Sequence, residues 1–148
     1  MIRFTNTKDF QKKLEEFAKR AEINLAIVAK RMAFAAYRSI IEKTPVDTGR
    51  ARASWNISEG SIDASVQGTR DFKGGGGIKK ARVVNQQKLD KIKSSIVKYP
   101  VYYITNNLPY IVPLEEGHSK QADKGWMVKR TIVQLGTELD ELLEGLRK

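Results

Sequence analysis

Apolar residues recur along the first third of the chain at steps of three, four or five: Phe10, Leu14, Phe17, Ala21, Leu25, Val28, Met32, Ala35 and Ile40. That spacing stacks side chains on one face of a 3.6-residue helix. It predicts one long amphipathic helix from about Thr7 to Glu42, opened by Thr7 as N-cap and ended ahead of Pro45, whose ring cannot continue a helix. At 1.5 Å per residue such a helix would be roughly 50 Å long, more than a domain of this size needs. From Ile23 onward a second set, Ile23, Ala26, Ile27, Ala33, Phe34, Tyr37 and Ile41, lies off the first face. Two apolar faces imply two partners: the subunit's own sheet, and either a neighbouring copy, with Ile23, Ile27, Phe34 and Tyr37 as candidate oligomer contacts, or more of the subunit's own fold with the helix sunk deeper into it.

Beyond Pro45 the period shortens to two. Trp55 and Ile57 alternate with Asn56 and Ser58, and Ala64 and Val66 with Ser65 and Gln67, predicting two short strands around a Glu59-Gly60-Ser61 turn. A third strand is expected over Val101–Thr105, where tyrosines and β-branched residues suit a half-buried pleated surface. The periodicity of Val128, Ile132, Leu135, Leu139 and Leu146 then predicts a helix from about Trp126 to Leu146, with Trp126 either filling the core or anchoring an interface. Lys129 and Arg130 sit near its positive end and Glu138, Asp140, Glu141 and Glu144 toward its negative end, against the helix dipole. Such a pattern is either a solvated face or an acidic patch that suits a basic partner. These elements make an α+β domain: a long N-terminal helix and a C-terminal helix packed on a small, mainly antiparallel sheet.

Charge adds a further feature. The chain of 148 residues, enough for a single domain over 1–148, carries a formal net charge of +10. Residues 69–98 hold nine of the cations against Asp71 and Asp90, a local excess of +7. Lys79, Lys80, Arg82, Lys88, Lys91 and Lys93 are therefore candidate contacts to DNA or to an acidic protein surface. Burying the large apolar residues of this segment returns less than ordering its backbone costs, and Gly74-Gly75-Gly76-Gly77 raises that cost. A long, mobile basic loop inserted between strands is expected, with Leu89, Ile92 and Ile96 forming a short helix only against a partner.

Chemistry is sparse. There is no cysteine and one histidine, His118, so disulfides, thiolate sites and a histidine-based metal cluster are excluded. Glu115, His118, Ser119 and Lys120 include hydrolase residue types, but sequence neighbours rarely present nucleophile and base to one another, and no nucleophile-elbow turn surrounds the serine. No enzyme, cofactor or metal is expected. No apolar run approaches the about 20 residues that span a bilayer, and no secretory core precedes the first charges, which points away from a membrane.

Two stretches act as punctuation. Thr44-Pro45-Val46-Asp47-Thr48-Gly49-Arg50 stops the first helix, and Asp47 or Thr48 can cap a single helical turn beginning at Gly49. Thr105-Asn106-Asn107-Leu108-Pro109-Tyr110 runs on through Leu114-Glu115-Glu116-Gly117 to His118-Ser119-Lys120-Gln121-Ala122, with Tyr110 and Leu114 expected to turn back toward the core and Glu115 to cap or pair. Pro45, Asp47, Thr48, Gly49, Pro109, Tyr110, Glu115 and Gly117 are the turn residues of the pair. In this order and spacing the two motifs resemble the neck or tail-completion proteins of long-tailed double-stranded DNA phages, over roughly residues 8–68 and 99–146. The resemblance implies a structural virion subunit, assembled in the host cytoplasm as a ring between connector and tail tube. It also implies six-fold symmetry, with tail-tube, tail-terminator and connector proteins as partners. The alternative is a DNA-binding or packaging accessory protein acting through the basic segment.

Overall fold

The computed structural model describes residues 2–4, 8–21, 25–95, 97 and 100–147. The sheet has three antiparallel strands in the order β1-β3-β2: β1 (Ile2–Phe4), β2 (Asn56–Glu59) and β3 (Tyr102–Asn106). β3 is central, with Thr105 opposite both Arg3 and Asn56, and Ile104 opposite Phe4 and Ile57. Period-two alternation located β2 and β3 to within a residue, whereas β1 is too short to carry a period.

The long helical pattern resolves into two helices, α1 (Lys8–Ala21) and α2 (Leu25–Lys43), instead of one. The 19 residues of α2 span about 28 Å, a length the domain core can cover. Ile23 lies outside the described residues. One face of α2 buries Val28, Met32, Ala36, Tyr37 and Ile40 in a cluster with Trp55, Ile57, Ile104, Leu108, Ile111, Met127, Leu135 and Leu139. α6 (Val128–Arg147) completes this layer, joined to α2 by Ser39 and Lys43 bonding Thr131 and Gln134. The α+β class stands, with helices on one face of a small antiparallel sheet.

The expected strand at Ala64–Val66 is not one. Residues 62–68 are irregular and lie across the outer face of the sheet, held by side chains rather than by a ladder. Asn56 Nδ2 donates to the Asp63 and Ser65 carbonyls, Thr105 Oγ1 to the Asp63 carbonyl at 2.6 Å, and Asn107 Nδ2 to the Ala64 carbonyl. Asn56 and Thr105 are cross-strand neighbours, so both reach the same face.

The larger correction concerns the basic segment, which is helical where a loop was expected. After a single 3-10 turn at Arg70–Phe72, α4 runs from Gly77 to Lys93. Its inward stripe is Gly77, Ala81, Asn85 and Leu89, one residue per turn. Only Leu89 is a large apolar residue, so the stripe gives little hydrophobic periodicity to read. What holds it is close approach and hydrogen bonding: Ala81 packs with Ala53 and Phe72, and Asn85 bonds to the Tyr37 hydroxyl on α2 and to the Arg52 carbonyl. No helix of the described residues is long and apolar enough to cross a membrane.

Candidate functional site

The stretch from Thr44 to Arg50 is a hub whose contacts are mostly to backbone. Thr44, fully buried, donates its hydroxyl to the Ile40 carbonyl at 2.7 Å and accepts Trp55 Nε1–H at 2.8 Å, ending α2 and fixing the indole together. Arg52, on α3 (Arg50–Ala53), donates to the Thr44 and Glu42 carbonyls at 2.9 and 3.0 Å, satisfying acceptors at the open end of α2. Arg50 donates to the Gln67 carbonyl. The two arginines thus tie the turn to the end of α2 and to the 62–68 segment. Thr48 Oγ1 accepts the Arg50 N–H at 3.3 Å, whereas exposed Asp47 takes no such part.

Gly49 and Gly77 explain how this hub seats the basic helix. Gly49 has φ 89°, and a Cβ there would lie 2.5 Å from the Gly77 backbone; a Cβ on Gly77 would lie 1.6 Å from the Thr48 carbonyl oxygen. Two backbones meet where side chains have no room. The last glycine of the Gly74–Gly77 run is therefore a packing site, and the glycine before it adopts φ 70° at the helix start.

Further along α4, Asn85 Nδ2 donates to the Arg52 carbonyl at 3.1 Å, and its Oδ1 lies 3.1 Å from the Tyr37 hydroxyl. That hydroxyl also reaches the Trp55 carbonyl at 2.8 Å. Burial, reinforced by the nearby Asp63 charge, pushes Tyr37 well above the usual phenol range. Lys88 Nζ donates to the Ala53 and Trp55 carbonyls at 2.6 and 2.8 Å. Burial lowers its pKa to about 8, with Asp63 partly opposing and Lys91 adding to the shift. Tyr37 is a core residue, not a free interface residue, and Lys88 is anchored inside the subunit.

The second motif is joined to the first. Gln121 donates to the Val46 carbonyl at 3.0 Å and accepts the Val46 N–H at 3.1 Å, a reciprocal pair that docks the loop onto the hub. At the start of this motif Asn106 Nδ2 bonds the Ala51 carbonyl and its Oδ1 accepts the Leu108 N–H, tying β3 to α3. Glu115, at the end of α5 (Ile111–Glu115), accepts from the amides of Met127, Val128 and Lys129 at 3.0–3.2 Å. Its charge faces the positive end of α6 and satisfies donors that have no helical partner. Gly117 turns the chain at φ 91°, with a Cβ there only 3.0 Å from Lys124 N. Ser119 Oγ accepts the Gln121 N–H, closing a turn beside exposed His118.

Pro109 and Tyr110 are exposed and Leu114 is half-buried; Ile111 fills the core where Tyr110 was expected. Met127 likewise is the buried plug, and Trp126 lies partly exposed beneath the Arg130 guanidinium, 3.8 Å from the ring centroid. Of the remaining interface candidates, Ile27 is exposed and Phe34 half-buried against the core. Lys79, Lys80, Arg82, Lys91 and Lys93 are exposed on α4, with Lys80 donating to the Asp71 carbonyl. Periodicity could not flag Asn85, Asn106 or Gln121, whose amides do the joining; the four-residue repeat of Gly77, Ala81, Asn85 and Leu89 was the one available signal.

The family model described as "Bacteriophage HK97-gp10, putative tail-component" matches residues 8–117. That span runs from α1 through the Thr44–Arg50 hub and the basic segment to Gly117, and includes Glu115 but not the α6 amides that it caps. No curated protein and no solved structure matches the chain. With most of its length matched, the chain belongs to the HK97-gp10-like family of bacteriophage tail components.

Proposed function

We propose that this chain is a structural virion subunit of the phage neck or tail top, which assembles as a ring, joins the tail to the head connector and so completes the tail. The observation that carries the reading is the family match over residues 8–117. The nature of the hub supports it: its polar side chains are spent on backbone carbonyls and amides, which makes a rigid framework for presenting surfaces. Ile27, Phe34 and Trp126 are the exposed or half-exposed apolar candidates for contact between copies. Partners would be tail-tube, tail-terminator and connector proteins, with six copies as the working stoichiometry. Native mass measurement of the protein, alone and mixed with tail-tube or connector subunits, tests this; a monomer that joins neither would refute it.

The second reading, a DNA-binding or packaging accessory protein, draws on the exposed cations of α4. DNA affinity that falls steeply with salt, in a protein that never self-associates, would favour it.

A further inference from the structure

We infer that the outward side of α4 and the acidic C-terminal half of α6 are the two complementary halves of one contact between copies of this chain. The inference rests on the ring reading above and names the surfaces that would close the ring. With Gly77, Ala81, Asn85 and Leu89 turned inward, α4 presents Ile78 and Val83 at 44% and 56% exposure, among the exposed cations Lys79, Lys80, Arg82, Lys91 and Lys93. Only Asp90 offsets these five on the same helix. Between α4 and α2 lies a groove of about 650 Å³ lined by Ile41, Ile78 and Val83, in which Arg38, Arg52 and Arg82 outnumber Glu42 and Asp90. An apolar strip with an excess of arginine is built for an amphipathic acidic helix.

α6 supplies one. Val133 is 63% exposed on its outer side, and a helical wheel places Thr137, Asp140 and Glu144 on the same stripe, with Glu141 beside it. Glu138, Asp140, Glu141 and Glu144 against Arg147 give this half of the helix a net charge of minus three, opposite in sign to the net four positive charges that the exposed cations and Asp90 give α4. Glu144 sits in the last turn, where the helix dipole is itself negative, so a cationic partner relieves an internal repulsion there. Within the subunit, Asp140 pairs with Lys13 at 3.1 Å, both side chains well exposed, and Glu138 accepts from Gln134. Among the described residues Glu141 and Glu144 have no ion-pair partner. α4 packs on α3 and β2 whereas α6 packs on α1 and α2, so the two halves are distinct surfaces. A contact between unlike patches is head-to-tail, the kind that closes into rings.

Charge reversal tests the contact. Lys79→Glu with Arg82→Glu reverses one half, and Glu141→Lys with Glu144→Lys reverses the other; all four positions are exposed, and a thermal melt confirms each variant is folded. Native mass and sedimentation should show each double variant self-associating about a hundredfold more weakly than the parent, the effect of bringing like charges together. The chain carrying all four reversals should recover assembly, as should an equimolar mixture of the two double variants. Rings that form equally well in both double variants would overturn this contact while leaving the ring reading in place. A parent protein that stays monomeric under all conditions would overturn both. Loss of duplex-DNA binding in the Lys79→Glu, Arg82→Glu variant with assembly unchanged would overturn the contact by making α4 a nucleic-acid surface.

Discussion

Replacing Gly77 by alanine sets two effects of opposite sign against each other. Gly77 opens α4, and exchanging a helical glycine for alanine ordinarily stabilises by up to about 1 kcal/mol. Here the added Cβ would stand 1.6 Å from the Thr48 carbonyl oxygen, and the two backbones must part by about 1.4 Å to reach even the closest tolerable approach. Forcing atoms into a packed contact costs about 1–3 kcal/mol. The parting also loosens the small cluster of Ala53, Phe72 and Ala81, in which Phe72 is 3% exposed, for up to about 1.5–3 kcal/mol more. A net destabilisation of about 2–4 kcal/mol should follow, lowering Tm by roughly 4–16 °C for a chain of this length. Gly136→Ala is the control, since a Cβ there meets nothing within 4 Å. It should raise stability by about 0.5–1 kcal/mol. If thermal and urea melts show Gly77→Ala at or above the parent while Gly136→Ala behaves as expected, the seating of α4 on the Thr48–Gly49 backbone is wrong.

Three further outcomes follow from the same contacts. Glu115→Ala removes the acceptor for three amides at the head of α6 and should cost about 1–2 kcal/mol by chemical denaturation; an unchanged midpoint would mean solvent caps α6 equally well. Lys88 is depressed in the folded state to about 8 from 10.5, so between those pH values its contribution to stability should rise with pH, by up to about 3 kcal/mol in all, while Tyr37, kept protonated by burial, draws stability down as the pH nears 10. Lys88→Met should flatten that rise, and a stability curve that falls identically in parent and variant over this window would contradict the buried placement. Amide exchange of the isolated subunit should show protection at Ala81, Asn85 and Leu89, the inward positions of α4; uniformly fast exchange from Gly77 to Lys93 would return the segment to the mobile loop expected from its composition.

Periodicity alone determined where helix and strand lie in most of this chain. The 3.6-residue recurrence marked α1, α2 and α6, and alternation marked β2 and β3, because those elements bury large apolar side chains against one another. Pro45 and Gly49 marked the end of α2 for reasons internal to the backbone. The Glu115 cap was legible as one of two roles, and the joined motifs carried the family resemblance. Tertiary structure decided the rest. Tyr37 has the spacing of a second apolar face, and only the position of α4 shows that this one side chain of it is covered within the subunit. The Ala64–Val66 alternation could not reveal that Asn56, Thr105 and Asn107 take up the carbonyls a strand partner would have used. By composition the basic segment reads as a loop, because its large apolar residues are too few to offset the entropy of ordering it. Its helix is seated by glycine against glycine and by amide and ammonium groups on carbonyls, interactions that exist only once another backbone is already in place.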